Sequence, residues 1–373
     1  MSAMSPTDPL ARLEGYLEQD PRNEGLLVET FELALRSGRQ DRAEVHLATG
    51  LANGANPLGW RLRQSHWHMA RRDWPAARDV LNGLLAAQDS PPPLVAAVRQ
   101  DLALIALHTG STQEGLDMVA PLLAASAGSA VEPDLQALYL RLLHRAGNID
   151  AVLSAAGQWA QAGQLSAEAA GIASLAAFDA EQLDLCRIWG QGALRSVPNQ
   201  LEASVACAGL ALAGQDAAGA QALLDPVLKA HPQDGRVWST WAFAQMLTGD
   251  LPHARLSLQR AVTYMPGHIG TWHGLGWTEL LLGNLEGARA AFEQAMALDR
   301  NFAESHGGMA VAHARSGDRA AAELAIELAL RLDRNSMSAH YARAVLDGRA
   351  EDADEVQQLA RQLFAARRAR RAN

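Results

Sequence analysis

Apolar residues recur along this chain at i, i+3, i+4 and i+7, the spacing that puts them on one face of an α-helix. Period-two alternation of β-branched residues is scarcely found, so the pattern predicts helices and no sheet. Three glycine turns punctuate the helical stretches: Thr248-Gly249-Asp250, Leu282-Gly283-Asn284 and Ser316-Gly317-Asp318. Their glycines stand 34 residues apart. Five residues after each comes Ala254, Ala288 or Ala322, and seven further on Ala261, Ala295 or Ala329, with Leu258, Phe292 and Ile326 between. Upstream, Trp238, Trp272 and His306 share one column. Self-similarity at a fixed period of this length signals a repeat architecture.

Each period reads as two amphipathic helices of roughly 12–14 residues. Glycine at the first helix's end takes a left-handed φ that other residues resist. Asp250, Asn284 and Asp318 are placed to cap the next helix by accepting a backbone N–H. The small residue after the turn lets the two helices approach closely. Pro198, Pro232 and Pro266 end the second helices, because proline cannot extend the hydrogen-bond ladder. Arg300 and Arg334 replace proline in that column, so those two helices are expected to run on smoothly.

Counted backwards in steps of 34, the small column continues as Ala220, Cys186 and Val152. A three-residue insertion near Ser126–Ala130 then moves it to Gly115, and a four-residue insertion at Ser90–Pro93 moves it to Ala77 and Ala43. Forwards it reaches Val356. Four stretches follow: a partial repeat at 1–22, divergent repeats at 24–200, well-matched repeats at 201–336, and a last hairpin with an Arg-rich helix at 337–373. That last helix, Asp352 to about Arg370, is apolar at Val356, Leu359, Leu363 and Phe364 and is expected to cap the stack, since each hairpin needs a neighbour to cover its apolar face.

The segment Trp272 to Met296 (WHGLGWTELLLGNLEGARAAFEQAM) resembles the tetratricopeptide repeat, with its Trp, Leu-Gly, glycine turn, Ala, aromatic and Ala in order. The resemblance implies an all-α, right-handed solenoid of about ten 34-residue helix-turn-helix units, the first incomplete. It also implies that the first helix of each pair lines a concave groove that holds protein or peptide. Carried over by frame, the inner row comprises Arg236, Ser239, Phe243, Met246, His273, Trp277, Glu304, Val311 and Arg315. Nearer the N-terminus it comprises Leu62, His66, Met69, Arg141, His144 and Phe178. Trp238 and Trp272 fall in the family's core column and read as packing residues, and Trp241 reads as buried. Repeats that clamp the acidic tail of chaperones use Lys, Asn and Arg at set inner positions. Ser239, Phe243, His273, Trp277, Gly307 and Val311 stand there instead, which argues against that role and for a more apolar groove.

Composition narrows the chemistry. The chain has 373 residues, 49% hydrophobic but only 5% aromatic, so Ala and Leu supply most of the apolar content. A formal net charge of −9 argues against broad nucleic-acid binding. The N-terminus has neither the basic start nor the apolar core of a signal peptide, and no window of about 18 apolar residues suggests a membrane span. Cytoplasmic location is the resulting expectation. Cys186 and Cys207 are too few for a disulfide framework or a zinc site, and both fall on buried helical positions.

No phosphate loop, GxSxG elbow or HExxH helix is present. His66 and His68, two apart on a helix, point away from each other and make a poor metal pair. His268 reads as a loop residue and His273 as facing the groove. The expectation is a non-catalytic scaffold or adaptor with a protein or peptide partner, without cofactor, small-molecule substrate or membrane span. Self-association is compatible with so Ala- and Leu-rich a surface. Two alternatives remain: a recognition arm of a multi-protein enzyme or envelope-assembly machine, and anionic-surface or nucleic-acid binding through Arg361 to Arg371.

Overall fold

In the computed structural model of the chain, residues 8–126 and 128–350 are described, and among them lie twenty α-helices and no strand. The first ten are α1 (Pro9–Gln19), α2 (Glu24–Arg36), α3 (Gln40–Asn53), α4 (Pro57–Ala70), α5 (Trp74–Ala86), α6 (Pro92–Thr109), α7 (Thr112–Ala125), α8 (Pro133–Arg145), α9 (Ile149–Gln161) and α10 (Ala167–Asp179). There follow α11 (Leu183–Ser196), α12 (Leu201–Ala213), α13 (Ala217–Ala230), α14 (Gly235–Leu247) and α15 (Leu251–Tyr264). The last are α16 (Ile269–Leu281), α17 (Leu285–Leu298), α18 (Ala303–Arg315), α19 (Arg319–Leu332) and α20 (Met337–Leu346). From α2 to α19 they form successive hairpins, an even-numbered first helix and an odd-numbered second. The chain is an all-α repeat solenoid, and it divides into two units, Met1–Ala176 and Ala177–Asn373.

The hairpin turn is the most regular feature. Gly249, Gly283 and Gly317 hold φ of 78°, 80° and 81°. The same left-handed position persists where glycine is replaced, at Arg72, Glu181 and Gln215 with φ of 59°, 58° and 64°. The geometry of the turn therefore survives a substitution that costs roughly 1 kcal/mol in backbone strain. Five residues later the small column is sealed: Ala43, Ala77, Val152, Cys186, Ala220, Ala254, Ala288 and Ala322 are fully buried, and Gly115 is buried with them. Close approach of the paired helices leaves no room for a larger side chain there.

Three expectations about helix ends need correction. Asn284 and Asp318 cap as anticipated, accepting from the Gly287 and Ala321 N–H groups at 3.2 and 3.1 Å. Asp250 stands at the same cap position, but its carboxylate faces His253 Nδ1 at 2.9 Å and makes no cap bond. The second helices α17 and α19 do not run on past the missing prolines. They stop at Leu298 and Leu332, in step with α13 and α15, and the Asp299 and Asp333 carboxylates take up the Asn301 and Asn335 N–H groups. An aspartate that folds over the next turn stops a helix as well as a proline does.

The four-residue insertion at Ser90–Pro93 does not bulge out; it lengthens α6 to 18 residues. At the other end Gly348 comes 31 residues after Gly317, so α20 has only 10 residues and the register is three short. The Val356 column, the capping helix from Asp352 and the arginine cluster lie outside the described residues.

Within Ala177–Asn373, each first helix from α12 to α20 packs on the next first helix, whereas α13, α15, α17 and α19 pack on first helices and not on one another. The row of first helices is thus the more closely spaced side, the inner side of the curve. Gly307 shows how close: a Cβ there would come within 2.6 Å of the Ala339 nitrogen on α20.

Candidate binding groove

The inner side of α12 is closed. Its sequence, LEASVACAGLALA, is apolar around the whole helix, and Glu202, Ser204, Val205, Ala206 and Gly209 are all buried. Across it, Arg236 of α14 holds Asp179 with Nη1 at 2.9 and 3.0 Å from the two carboxylate oxygens. Within Ala177–Asn373 the exposed inner side chains begin at α14.

There the nine expected groove residues separate into two groups. Ser239 and Val311 are buried and do not line a surface. Ser239 Oγ accepts from Thr271 Oγ1, and Val311 belongs to a core cluster on which Trp277 and Tyr341 pack. Arg236 is engaged with Asp179 as described. Glu304 anchors the next repeat: its carboxylate accepts from the Met337 and Ser338 N–H groups at 2.8 and 3.0 Å and from Ser338 Oγ at 2.5 Å. A carboxylate at a helix N-terminus meets unpaired N–H groups and the positive end of the helix dipole.

His273 is mostly enclosed, in edge contact with Trp277, Phe292 and Phe302. Burial depresses its pKa below the usual histidine value, with the Glu304 carbonyl and charge opposing. Its Nε2 lies 3.1 Å from the Glu304 carbonyl oxygen, which only a ring N–H can satisfy, so the neutral ring carries its proton on Nε2. Trp277 Nε1 is 3.3 Å from that same nitrogen. Because that nitrogen is protonated, we read this as a ring-edge contact, and the indole N–H keeps its capacity to donate.

The remaining residues form a surface. Phe243 is 38% exposed and lies over Gly274, where a Cβ would come within 3.0 Å of the ring. Met246 is half-buried, its sulfur 3.3 Å from Thr278 Oγ1. Trp277 is half-buried and held by Phe292 and by Tyr341, centroids 6.4 and 6.0 Å away. Arg315 is exposed and donates to the Leu280 carbonyl and the Tyr341 hydroxyl at 3.2 and 3.1 Å, both neutral acceptors. Leu247 and Leu281, one turn beyond Phe243 and Trp277, are exposed as well.

Leu247, Leu281 and Tyr341 were not among the expected site residues. Leu247 and Leu281 share the Arg315 column and Tyr341 shares the His273 column, so the repeat frame itself points to them. Trp238 and Trp272, expected as packing residues, are half-buried, and so is Trp241, expected to be buried. In the N-terminal unit, His66 faces Asp101 at 2.8 Å and Arg141 pairs with Glu168, so these two residues of the expected row are engaged within the fold, while Leu62, Met69 and His144 are half-buried. Among the described residues no cluster of three His, Cys, Asp or Glu side chains could hold a metal, and no helix is long and apolar enough to cross a membrane.

Residues 269–302, which are α16 and α17 with their flanking turns, match the family model described as Tetratricopeptide repeat. Residues 269–302 thus carry a tetratricopeptide repeat, and the same helical hairpin recurs in register along the described chain; a solenoid of such repeats is a scaffold for protein–protein interaction. No curated protein sequence matches this chain. Among solved structures it is similar to a tetratricopeptide repeat protein from Parabacteroides merdae ATCC 43184, at 15% identity and TM-score 0.46 over 65% of this chain and 93% of that one. It is also similar to YrrB, described as a TPR protein with an unusual peptide-binding site, at 17% identity and TM-score 0.38 over 48% of this chain and 92% of that one. A third likeness is to the Cut9-Hcn1 hetero-tetramer of the APC/C, at 14% identity and TM-score 0.41 over 95% of this chain and 80% of that one.

Proposed function

We propose that the chain is a non-catalytic adaptor that holds an extended segment of a partner protein along the inner side of α14, α16 and α18. An apolar side chain of the guest rests on Phe243, Leu247 and Trp277, and an acidic or carbonyl group next to it meets Arg315. The observation that carries this reading is a contrast within one row of helices. Arg236, Glu304 and His273 are engaged inside the fold, whereas Phe243, Leu247 and Leu281 stay exposed on the inner side. Exposed apolar groups collected in a concavity mark a candidate binding surface, and tryptophan and arginine are among the residue types enriched where binding energy concentrates.

The test is affinity capture from the native cell with the wild-type chain, a Phe243→Ala/Trp277→Ala double variant and a Leu324→Ala control on the outer side. A partner held by wild type and control but lost by the double variant supports the groove. Equal capture by all three places the binding surface elsewhere.

A further inference from the structure

The N-terminal unit carries a second candidate surface, on the edge formed by its hairpin turns. Trp74, two residues past the α4–α5 turn, stacks on His108 at the end of α6, with centroids 4.9 Å apart and planes 8° from parallel. On either side stand two arginines. Arg72 is the turn residue of α4–α5, and Arg145 ends α8, one repeat beyond His108 in the same column. Both are exposed, and among the described residues no carboxylate pairs with either. The neighbouring acids are engaged: Asp73 caps α5 and faces His68, and Glu114 holds Arg78. Both guanidiniums lie near enough to His108 to oppose its protonation, after the larger effect of burial. Two unneutralised cations thus face one imidazole across three successive repeats of a chain whose net charge is −9.

Arg72 adds a second consideration. It holds φ of 59° at a position where Gly38, Gly110 and Gly147 stand in the other turns of this unit. Glycine would adopt that backbone without strain, so the arginine costs stability and contributes a charge that glycine would not.

We propose that the ridge Arg72–Trp74–His108–Arg145 docks an acidic, extended segment of a partner protein. Its charges come from successive repeats on either side of His108, and a guest with carboxylates at intervals along its chain suits charges set at repeat intervals. Two guanidiniums are too few to hold a nucleic-acid backbone against an acidic scaffold. The aromatic stack between them offers a flat face on which a guest peptide plane or side chain can lie. This surface is independent of the groove on α14 to α18.

The experiment uses the full chain and a fluorescein-labelled octaglutamate peptide, read by anisotropy at low salt. Wild type is expected to bind saturably, and more weakly as salt rises. Arg72→Gly/Arg145→Ala should bind about tenfold more weakly, equivalent to ~1.4 kcal/mol. Arg300→Ala/Arg331→Ala, which removes the same charge from the other unit, should bind as wild type does. Arg72→Gly relieves a strained turn, so a thermal melt no lower than wild type separates lost binding from lost folding. No saturable binding, or equal loss in both double variants, overturns the proposal. So does full competition by inorganic phosphate, which would mean a single-anion site. Tighter binding of a single-stranded oligonucleotide than of the peptide overturns it in favour of nucleic acid.

Discussion

The indole N–H of Trp272 donates to the backbone carbonyl of Pro266, six residues earlier, at 2.7 Å. The bond recurs one repeat before, from Trp238 to Pro232 at 2.8 Å. It survives one and two repeats later with histidine in place of tryptophan, where His306 and His340 Nε2 meet the Arg300 and Arg334 carbonyls at 2.8 and 2.9 Å. A ring N–H pins the loop between hairpins to the start of the next first helix, and either residue type can supply it. That explains why this column tolerates histidine, and why its tryptophans are only half-buried.

Trp272→Phe keeps a ring but loses the donor, and should lower stability by about 1 kcal/mol. Trp272→His, which copies the two later repeats, should recover part of that loss. Urea unfolding of the three proteins checks this, and a phenylalanine variant as stable as wild type would show the bond to be incidental.

Overpacking should be costly wherever helices meet through small residues. Ala288 is fully buried, and Ala288→Trp is expected to lose about 1–3 kcal/mol or more. A Cβ on Gly308 would lie 2.4 Å from the Phe292 ring, so Gly308→Ala should destabilise to a similar degree. Combining it with Phe292→Leu should cost less than the sum of the two single changes, because the smaller side chain makes room for the methyl. Additive losses in thermal melts would contradict that packing.

Glu304→Ala should loosen α20, because it removes the acceptor for two backbone N–H groups and the Ser338 hydroxyl. A loss of about 1–3 kcal/mol is expected, felt first at the end of the stack. Limited proteolysis should cut after Leu332 sooner than in wild type. An unchanged digestion pattern would show that other contacts hold α20.

Stability should fall on mild acidification. His273 stays neutral in the fold because burial holds its pKa below the ordinary 6.5, and His46, His108 and His268 are shifted the same way, also mainly by burial. As pH drops below about 6.5, the unfolded chain binds these protons first, so the fold loses stability until the lower folded pKa values are passed. His273→Gln, which can still donate to the Glu304 carbonyl, should show a smaller drop in urea midpoint between about pH 7.5 and about pH 5.5. An identical drop in both proteins would assign the effect to other groups.

The sequence alone determined the hairpin, its period, the left-handed turn and the sealed small column, because each depends on residues within one turn of helix or at a fixed step in the repeat. The glycines at 249, 283 and 317 and the alanines five residues on needed no tertiary information to be placed. Which inner residues would stay open was decided by the neighbours. Ser239 and Val311 lie in the groove columns yet are covered by adjacent helices, and Arg236 meets an aspartate 57 residues away across the closed face of α12. Exposure of an inner side chain depends on how closely the next helix approaches and what that helix carries, and neither is a property of the repeat that contains it.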